Sequence, residues 1–548
     1  LLKVAVRKNA TVPHVSISQW LGFGVALVLL NFALSFHNVW PTLWITMRAE
    51  ISMEAAALVF LLGAYGRVVR RPSNRLLAGL AGILFVFVLG RYLEVTAPAL
   101  YGRAVNLYWD ARYIPDVAAM LAGAAPWYLT ILVVLALVAL SGVVLWLLYW
   151  SLRRVRAVLD RPGPGRFLQI AAGAVAMLYF LGYYTSIPTL RWFSIPVSQT
   201  YARQVGFVID AITGASALGS LPKVSALDGI SPDALPQRDL IVTFVESYGA
   251  TAFEAESVAA ALETPRRNFL DAIESSGRQV ASAFLSPPTF GGASWLSHAS
   301  FMTGLDIREG ASYDALLTQS RTTVSSLFED AGFRTVALMP GLKNEWPEGS
   351  FYGFDAIYGE SLLEYTGPEF GWWRIPDQFA LARLDERELG VPGRAPLFVF
   401  FPTISTHMPF RPTPPYQPDW KRLASPEPYT ARVLGDSLTY SPEWSNLRPS
   451  YAGALAYTYR YWAGYLLAHP DRDFYIVLVG DHQPPSSVSG EGARWDVPVH
   501  IITSDADVIG RLVQSGFTPG LTPSSSPVAA MHELSPLLLR SLSPSARP

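Results

Sequence analysis

DLIVTFVES (residues 239–247) and FYIVLVGD (474–481) decide the fold of the second half of this chain. Each is a short run of Val, Ile, Leu and Phe that closes on acidic or hydroxyl residues. A strand with one wet face alternates apolar and polar side chains, whereas a nearly unbroken apolar run is buried on both faces, as in a parallel sheet covered by helices. Working outward, QVASAFLSP (279–287), RTVALMP (334–340), PLFVFFPTIS (396–405) and VPVHIIT (497–503) repeat the pattern. Helical patterns at 252–276, 295–303, 320–331, 376–388, 447–469 and 529–541 separate them. The alternation predicts an α/β domain over residues 237–541 with a largely parallel sheet, followed by a flexible tail at 542–548.

In such sheets ligands gather beyond the C-terminal strand ends. Glu246 and Ser247 close the first strand, Thr406 and His407 follow the fourth, and Asp481 and His482 close the fifth. Carboxylates and imidazoles from separate strands at one edge predict a metal site. An adjacent Asp-His pair is more often structural when it stands alone. Here it gains meaning from Glu246 and from TFGGASWLSHASFMTG (289–304), a Gly-Gly-Ala turn followed by Ser294 at a predicted helix start. Amides at a helix N-terminus stabilise a bound phosphate there. The plain alternative for Ser294 is a helix N-cap. Ser297 falls one turn on, while Ser300 and Thr303 read as hydroxyls bonded to nearby backbone. His500 sits inside a predicted strand and reads as a packed histidine or one behind the site.

The first third is different. The chain has 548 residues, 51% of them hydrophobic and 16% charged, with Lys+Arg 42 against Asp+Glu 43 and no cysteine. Disulfides, thiolate metal sites and cysteine nucleophiles are excluded. The balanced charge argues against nucleic acid as a partner. The apolar residues concentrate before residue 190, in runs at 18–38, 51–67, 75–92, 126–149 and 167–185, which predict a five-span membrane domain over 1–185. The first run carries no small-residue cleavage site, so it reads as an anchor; the chain begins at Leu1 without a Met, as expected if a few residues are missing or trimmed. Basic clusters flank alternate ends: Lys3, Arg7 and Lys8; Arg67, Arg70, Arg71 and Arg75; Arg153, Arg154, Arg156, Arg161 and Arg166. Positive loops stay in the cytoplasm, so the N-terminus is expected inside and everything after the fifth span outside. The loop 91–116 suits the outer headgroup level, as an anchor or as a platform for a lipid. Residues 186–236 read as an interfacial helix, with Trp192, Phe193 and Phe207 on its apolar side, and a Gly/Pro/Ser-rich linker.

With these residues on the page, the chain resembles the sulfatase-like part of the alkaline-phosphatase superfamily, above all its membrane-anchored transferases: lipoteichoic acid synthases, glucan phosphoglycerol transferases and lipid A phosphoethanolamine transferases. The resemblance spans the layout of the whole chain and is most specific from Asp239 to Thr503. It implies Glu246, Asp481 and His482 as metal ligands together with Ser294, and His407 as a contact to the substrate phosphate. Those transferases place a nucleophilic Thr after a Gly-containing turn, which falls on Ser294. Sulfatases place theirs nine residues before a Thr-Gly pair, and counting back from Thr303 again reaches Ser294. Leu296 and His298 stand where the sulfatase signature has Pro and Arg, which speaks against formylglycine and against sulfatase chemistry. The lipoteichoic acid synthases carry a second substrate histidine in the region of PGLKNEWPEGSFYG (340–353); Lys343 or Trp346 is the candidate substitute, with Ser297 and His298 as further candidate substrate contacts.

The resemblance thus implies an enzyme of the bacterial cytoplasmic membrane with its catalytic domain outside. One divalent ion, Mn²⁺ or Zn²⁺, assists transfer of phosphoglycerol or phosphoethanolamine from phosphatidylglycerol or phosphatidylethanolamine to a glycan or lipid acceptor through Ser294. A phosphodiesterase or phosphatase using the same site, and an inactive envelope scaffold or receptor, are the alternatives. Absence of cysteine favours the phosphoglycerol branch or an unassigned one, because the phosphoethanolamine branch is usually disulfide-rich.

Overall fold

The computed structural model describes residues 17–69, 71–101, 105–123, 126–185, 187–213, 221–344, 346–371, 375–439 and 442–543. They divide into two compact units: one takes in residues up to Val39, Leu43–Thr96 and Pro126–Gly206, the other Trp40–Thr42, Ala97–Ala125 and Phe207 onward.

In the first unit the apolar runs are helices: α1 Ile17–Ser35, α2 Met53–Val68, α3 Asn74–Tyr101, α4 Trp127–Leu159 and α5 Pro164–Tyr184. Four of them, α2 excepted, are long and apolar enough to cross a membrane. The second expected span is a helix of 16 residues, about 24 Å at the usual rise and short of a hydrocarbon core of about 30 Å. Leu30, Leu34, Val59, Leu62, Leu152 and Val155 form the shared core. The outer faces remain apolar: Leu132, Val133, Leu135, Val138 and Leu140 of α4 are all exposed, a surface that needs lipid rather than water. The helices overrun the expected loops. Residues 91–101 continue α3, Leu107–Asp110 and Ile114–Gly123 are helical too, and Arg153, Arg154 and Arg156 ride on α4. The expected interfacial helix is broken: Leu190–Trp192 is a 3₁₀ turn, Phe193 is buried, and α6 runs Val197–Thr213, leaving Phe207 as the one expected aromatic on it. Pro196 explains the break, since it disfavours helical backbone at Ile195 but suits a helix start.

In the second unit a nine-stranded sheet contains β1 Asp239–Val245, β2 Gln279–Ser286, β3 Arg334–Leu338, β4 Ala356–Tyr358, β5 Leu397–Pro402, β6 Phe474–Gly480, β7 Val497–Thr503, β8 Thr518–Pro519 and β9 Pro527–Ala530. The order is β8-β2-β7-β6-β1-β5-β3-β4, with β9 on β2. All six expected strands are present. β1, β5, β3, β4 and β6 pair parallel, as does β9 with β2, so the sheet is largely parallel as expected; β7, antiparallel to both β6 and β2, and the short β8 depart from it. The chain between β6 and β7 holds only the short helix Ser486–Ser489, so it turns back instead of crossing over. Two apolar layers cover the sheet. Helices Glu256–Ser275 (α7) and Arg448–Ala468 pack Phe269, Tyr459, Trp462 and Tyr465 on one face; Ser294–Thr303 (α8), Val324–Asp330 and Met531–Leu542 pack Phe301, Phe328 and Leu538 on the other.

Candidate active site

β1 stands between β5 and β6, parallel to both, so three C-terminal ends open side by side, neighbours about 4.8 Å apart. Pairing of Val245 with Gly480 sets Glu246 beside Asp481. β2 points the same way, being antiparallel to a strand that is antiparallel to β6, so the segment carrying Ser294 arrives at the same edge.

The close approach of these ends has local causes. A Cβ on residue 480 would lie 1.8 Å from the Tyr248 carbonyl oxygen, so the Gly of VLVGDH is a packing requirement. Ser247 adopts φ 57°, which costs an L-residue about 1–2 kcal/mol. Three hydrogen bonds hold it: its amide donates to Asp481 Oδ1 (2.8 Å), its hydroxyl to Glu246 Oε1 (3.0 Å), and its carbonyl accepts from the Tyr451 hydroxyl (2.9 Å). Gly291, Gly292 and Ala293 all take positive φ, and α8 starts at Ser294 with Ala293 as its cap. Ser294 is therefore not the N-cap. Its Oγ donates to Glu246 Oε2 at 2.9 Å and lies 3.1 Å from His482 Nε2.

His482 Nδ1 is 2.7 Å from the Gln483 carbonyl oxygen. A carbonyl only accepts, so Nδ1 carries hydrogen and Nε2 faces Ser294, Glu246 (3.3 Å) and Asp481 (3.7 Å). Burial pushes Glu246 up, but the charge and hydrogen bond of His482, together with His407 and Asp481, outweigh it and leave the carboxyl well below the ordinary range. Asp481 goes the other way, held well above that range by burial and by the charge of Glu246. Burial lowers His482, yet Asp481 and Glu246 more than offset it and raise the imidazole to about 9. One atom each of Glu246, Asp481 and His482 lies within 4.8 Å of the others. Two carboxylates and an imidazole with a hydroxyl alongside are a donor set that fits a divalent transition ion.

His407 follows β5. Its Nδ1 donates to the Met408 carbonyl at 2.7 Å, and it is close enough that its charge helps to lower Glu246. Thr403, at the start of the same turn, accepts the Glu246 amide at 3.1 Å. Two supporting residues were not anticipated. Asp377 is fully buried, and its oxygens accept from the Ile404 amide (2.8 Å) and the Ser405 amide (2.9 Å), holding the turn that presents His407. Burial pushes it up to about 6 against the opposing pull of those amides. In RIPDQF it looks like an ordinary helix-start Asp. Gln483 accepts Thr251 Oγ1 (2.8 Å) and donates to the Arg494 carbonyl (2.7 Å), pinning the loop behind His482.

The other expected substrate contacts are engaged within the protein. Ser297 is buried and donates to the Asp481 carbonyl at 2.5 Å, so it holds a candidate ligand in place. His298 is half-buried, its ring packed against those of Phe244 and Phe400 (centroids 4.7 and 5.3 Å), and desolvation lowers it to about 3. Trp346 stacks on Tyr352 at 5.4 Å, and Lys343 is exposed on the loop after β3. Ser300 and Thr303 bond the Leu296 and Ala299 carbonyls at 2.7 Å, as their spacing predicts. His500 is packed: Nε2 meets the Tyr248 hydroxyl at 2.8 Å and Nδ1 the Ser282 hydroxyl at 2.6 Å.

Residues 240–501 match the model of the Sulfatase family. No curated protein matches the chain by sequence. Among solved structures, an alkaline-phosphatase-superfamily protein from Vibrio parahaemolyticus is 18% identical, over 50% of this chain and 62% of that one, with TM-score 0.33; the chain thus spans less than two thirds of that protein's length. The Streptococcus pyogenes phosphoglycerol transferase GacH, solved with sn-glycerol-1-phosphate, is 12% identical over 61% and 81%, TM-score 0.37. The lipoteichoic acid synthase LtaP from Listeria monocytogenes is 14% identical over 57% and 80%, TM-score 0.34. The family match runs from β1 into β7 and takes in the whole sheet edge described above.

Proposed function

We propose that the chain transfers a phosphoglycerol, or alternatively a phosphoethanolamine, group from a membrane phospholipid to a glycan or lipid acceptor through a covalent intermediate on Ser294. The observation that carries the reading is the position of Ser294 Oγ, 2.9 Å from Glu246 and 3.1 Å from His482 at the first turn of a helix. A hydroxyl that serves only as a cap or a packing group has no reason to sit between two candidate metal ligands. Glu246, Asp481, His482 and Ser294 would hold a divalent ion, Mn²⁺ or Zn²⁺, which when bound supplies Lewis-acid polarisation of a phosphoryl oxygen and lowers the pKa of a neighbouring hydroxyl.

Ser294 attacks the phosphorus of the lipid phosphodiester, and its proton passes to solvent. The bond from phosphorus to the diacylglycerol oxygen breaks, and that oxygen takes up a proton. The first amides of α8 face the anionic group on Ser294, and His407 binds its oxygens. The acceptor hydroxyl then attacks the same phosphorus, the Ser294 ester breaks, and the serine regains its hydrogen. With the short α2 counted as a fifth crossing, the basic clusters fall on one side and orient the N-terminus inward and the domain outward, where lipid donors are present and nucleotides are not.

Intact-protein mass spectrometry of the purified chain after incubation with phosphatidylglycerol or phosphatidylethanolamine tests this. A phosphoglycerol or phosphoethanolamine adduct on the Ser294 peptide is expected. Normal turnover by Ser294→Ala would sink the proposal, and release of free glycerol phosphate with no acceptor product would make the enzyme a phosphodiesterase.

A further inference from the structure

The first unit contains a site unrelated to this chemistry. Between α2 and the turn joining α4 to α5 lies a cavity of about 260 Å³. Leu62, Gly63, Gly66 and Leu159 form its apolar wall, and Arg67, Arg156 and Arg161 its polar one. The guanidinium donors are unevenly satisfied. Arg156 Nη1 donates to the Pro72 carbonyl (2.9 Å) and Asn74 Oδ1 (3.0 Å), Arg161 Nη2 to Gln19 Oε1 (3.1 Å), and Arg67 Nη1 reaches the Gly63 carbonyl only at 3.5 Å. Arg156 Nε and Arg161 Nη1 are buried with no acceptor among the described residues. Asp160 also lines the cavity but is already paired with Arg71 at 2.8 Å.

The cavity therefore presents three cations, one engaged carboxylate and two buried N–H groups without acceptors. Buried donors are rarely left so, and a planar guanidinium matches a phosphate. Charge repulsion alone would push these arginines apart into water. Positive-inside bias explains basic residues beside a span, but not their convergence on a cavity with an apolar wall.

We propose that this cavity binds the phosphate of an anionic phospholipid in the leaflet on the arginine side. A bilayer lipid brings its phosphate to the helix ends with its acyl chains along the apolar wall, a placement that free phosphate does not share. A zwitterionic headgroup carries its own cation toward three arginines and is disfavoured.

The test uses the full chain in detergent, incubated with phosphatidylglycerol, phosphatidylcholine or inorganic phosphate, with retained lipid read by native mass spectrometry. Wild type is expected to hold one phosphatidylglycerol more than the Arg156→Gln/Arg161→Gln double variant, whose retention falls about tenfold. Gly66→Leu keeps every charge and fills the cavity, since a Cβ there meets nothing closer than Pro72 at 3.6 Å; it should lose the same lipid even if the double variant does not fold. Lipid held by the second unit contributes equally to all samples and cancels. Equal retention by wild type and Gly66→Leu, equal retention of phosphatidylcholine, or displacement of the lipid by inorganic phosphate would each overturn the proposal.

Discussion

His482 follows the end of β6 and His500 lies within the neighbouring β7, and each is at most 1% exposed. Burial alone would lower both imidazoles. His500 follows that rule and falls to about 3, with only the neutral hydroxyls of Tyr248 and Ser282 against its nitrogens. His482 is raised to about 9, because it lies past the end of its strand, where Asp481 and Glu246 converge. The same side chain is inert in the middle of the sheet and proton-loaded at its C-terminal edge. The chemistry belongs to the edge, where strand ends deliver several charged groups to one place. In the interior, each strand admits a polar residue only if its neighbours satisfy it.

The comparison can be broken most directly at Ser294. Ser294→Ala removes the proposed nucleophile and should lower turnover at least about 10³-fold, while the fold is unchanged and the ion is still bound through Glu246, Asp481 and His482; Ser300→Ala should remain nearly active. Substitution of the carboxylates comes next. Glu246→Gln or Asp481→Asn takes away a charged ligand and should weaken metal retention at least about 100-fold, as measured by elemental analysis after dialysis. Full activity of a metal-stripped preparation would be incompatible with the edge as a metal site. Asp377→Asn should act through His407 and lower turnover about 10- to 100-fold without loss of metal, because it loosens the Thr403–His407 turn and leaves Glu246, Asp481 and His482 alone. A loss of metal in that variant would show that Asp377 supports the fold rather than the turn.

The smallest effect sharpens the interior side of the comparison. His500 stays neutral in the folded domain down to about 3, whereas the unfolded chain takes up its proton near the ordinary value of about 6.5. The unfolded state binds more protons between those values, so stability falls as pH drops through that window. At pH 5 the loss is about 2 kcal/mol. His500→Gln should flatten this part of the melting-temperature profile, and an unchanged slope would remove His500 as its cause.

The apolar runs and the acidic residues that close them were sufficient to place six strands, the residues at their ends, and the helical first third. Burial periodicity is a local property, and a strand end is a local event. For the same reason Glu246, Asp481 and His482 were legible as a group even though they lie far apart in the chain. Ser294 could be singled out by its Gly-Gly-Ala turn, but not freed from the role of a cap; only the approach of Glu246 and His482 decides that its oxygen points into the site. The antiparallel course of β7 was also hidden, since an apolar strand reads alike in either direction. Asp377, Ser297 and Gln483 act by bonding to backbone that lies remote in sequence, and nothing in their own neighbourhoods announces it. The packing of His298, adjacent to Ser297 and one turn from Ser294, against the rings of Phe244 and Phe400 was likewise hidden in the sequence. Composition and periodicity determine which segments are buried and where they stop; which polar atoms then meet is decided by packing, because hydrogen bonds and charge interactions depend on distances that only the folded chain sets.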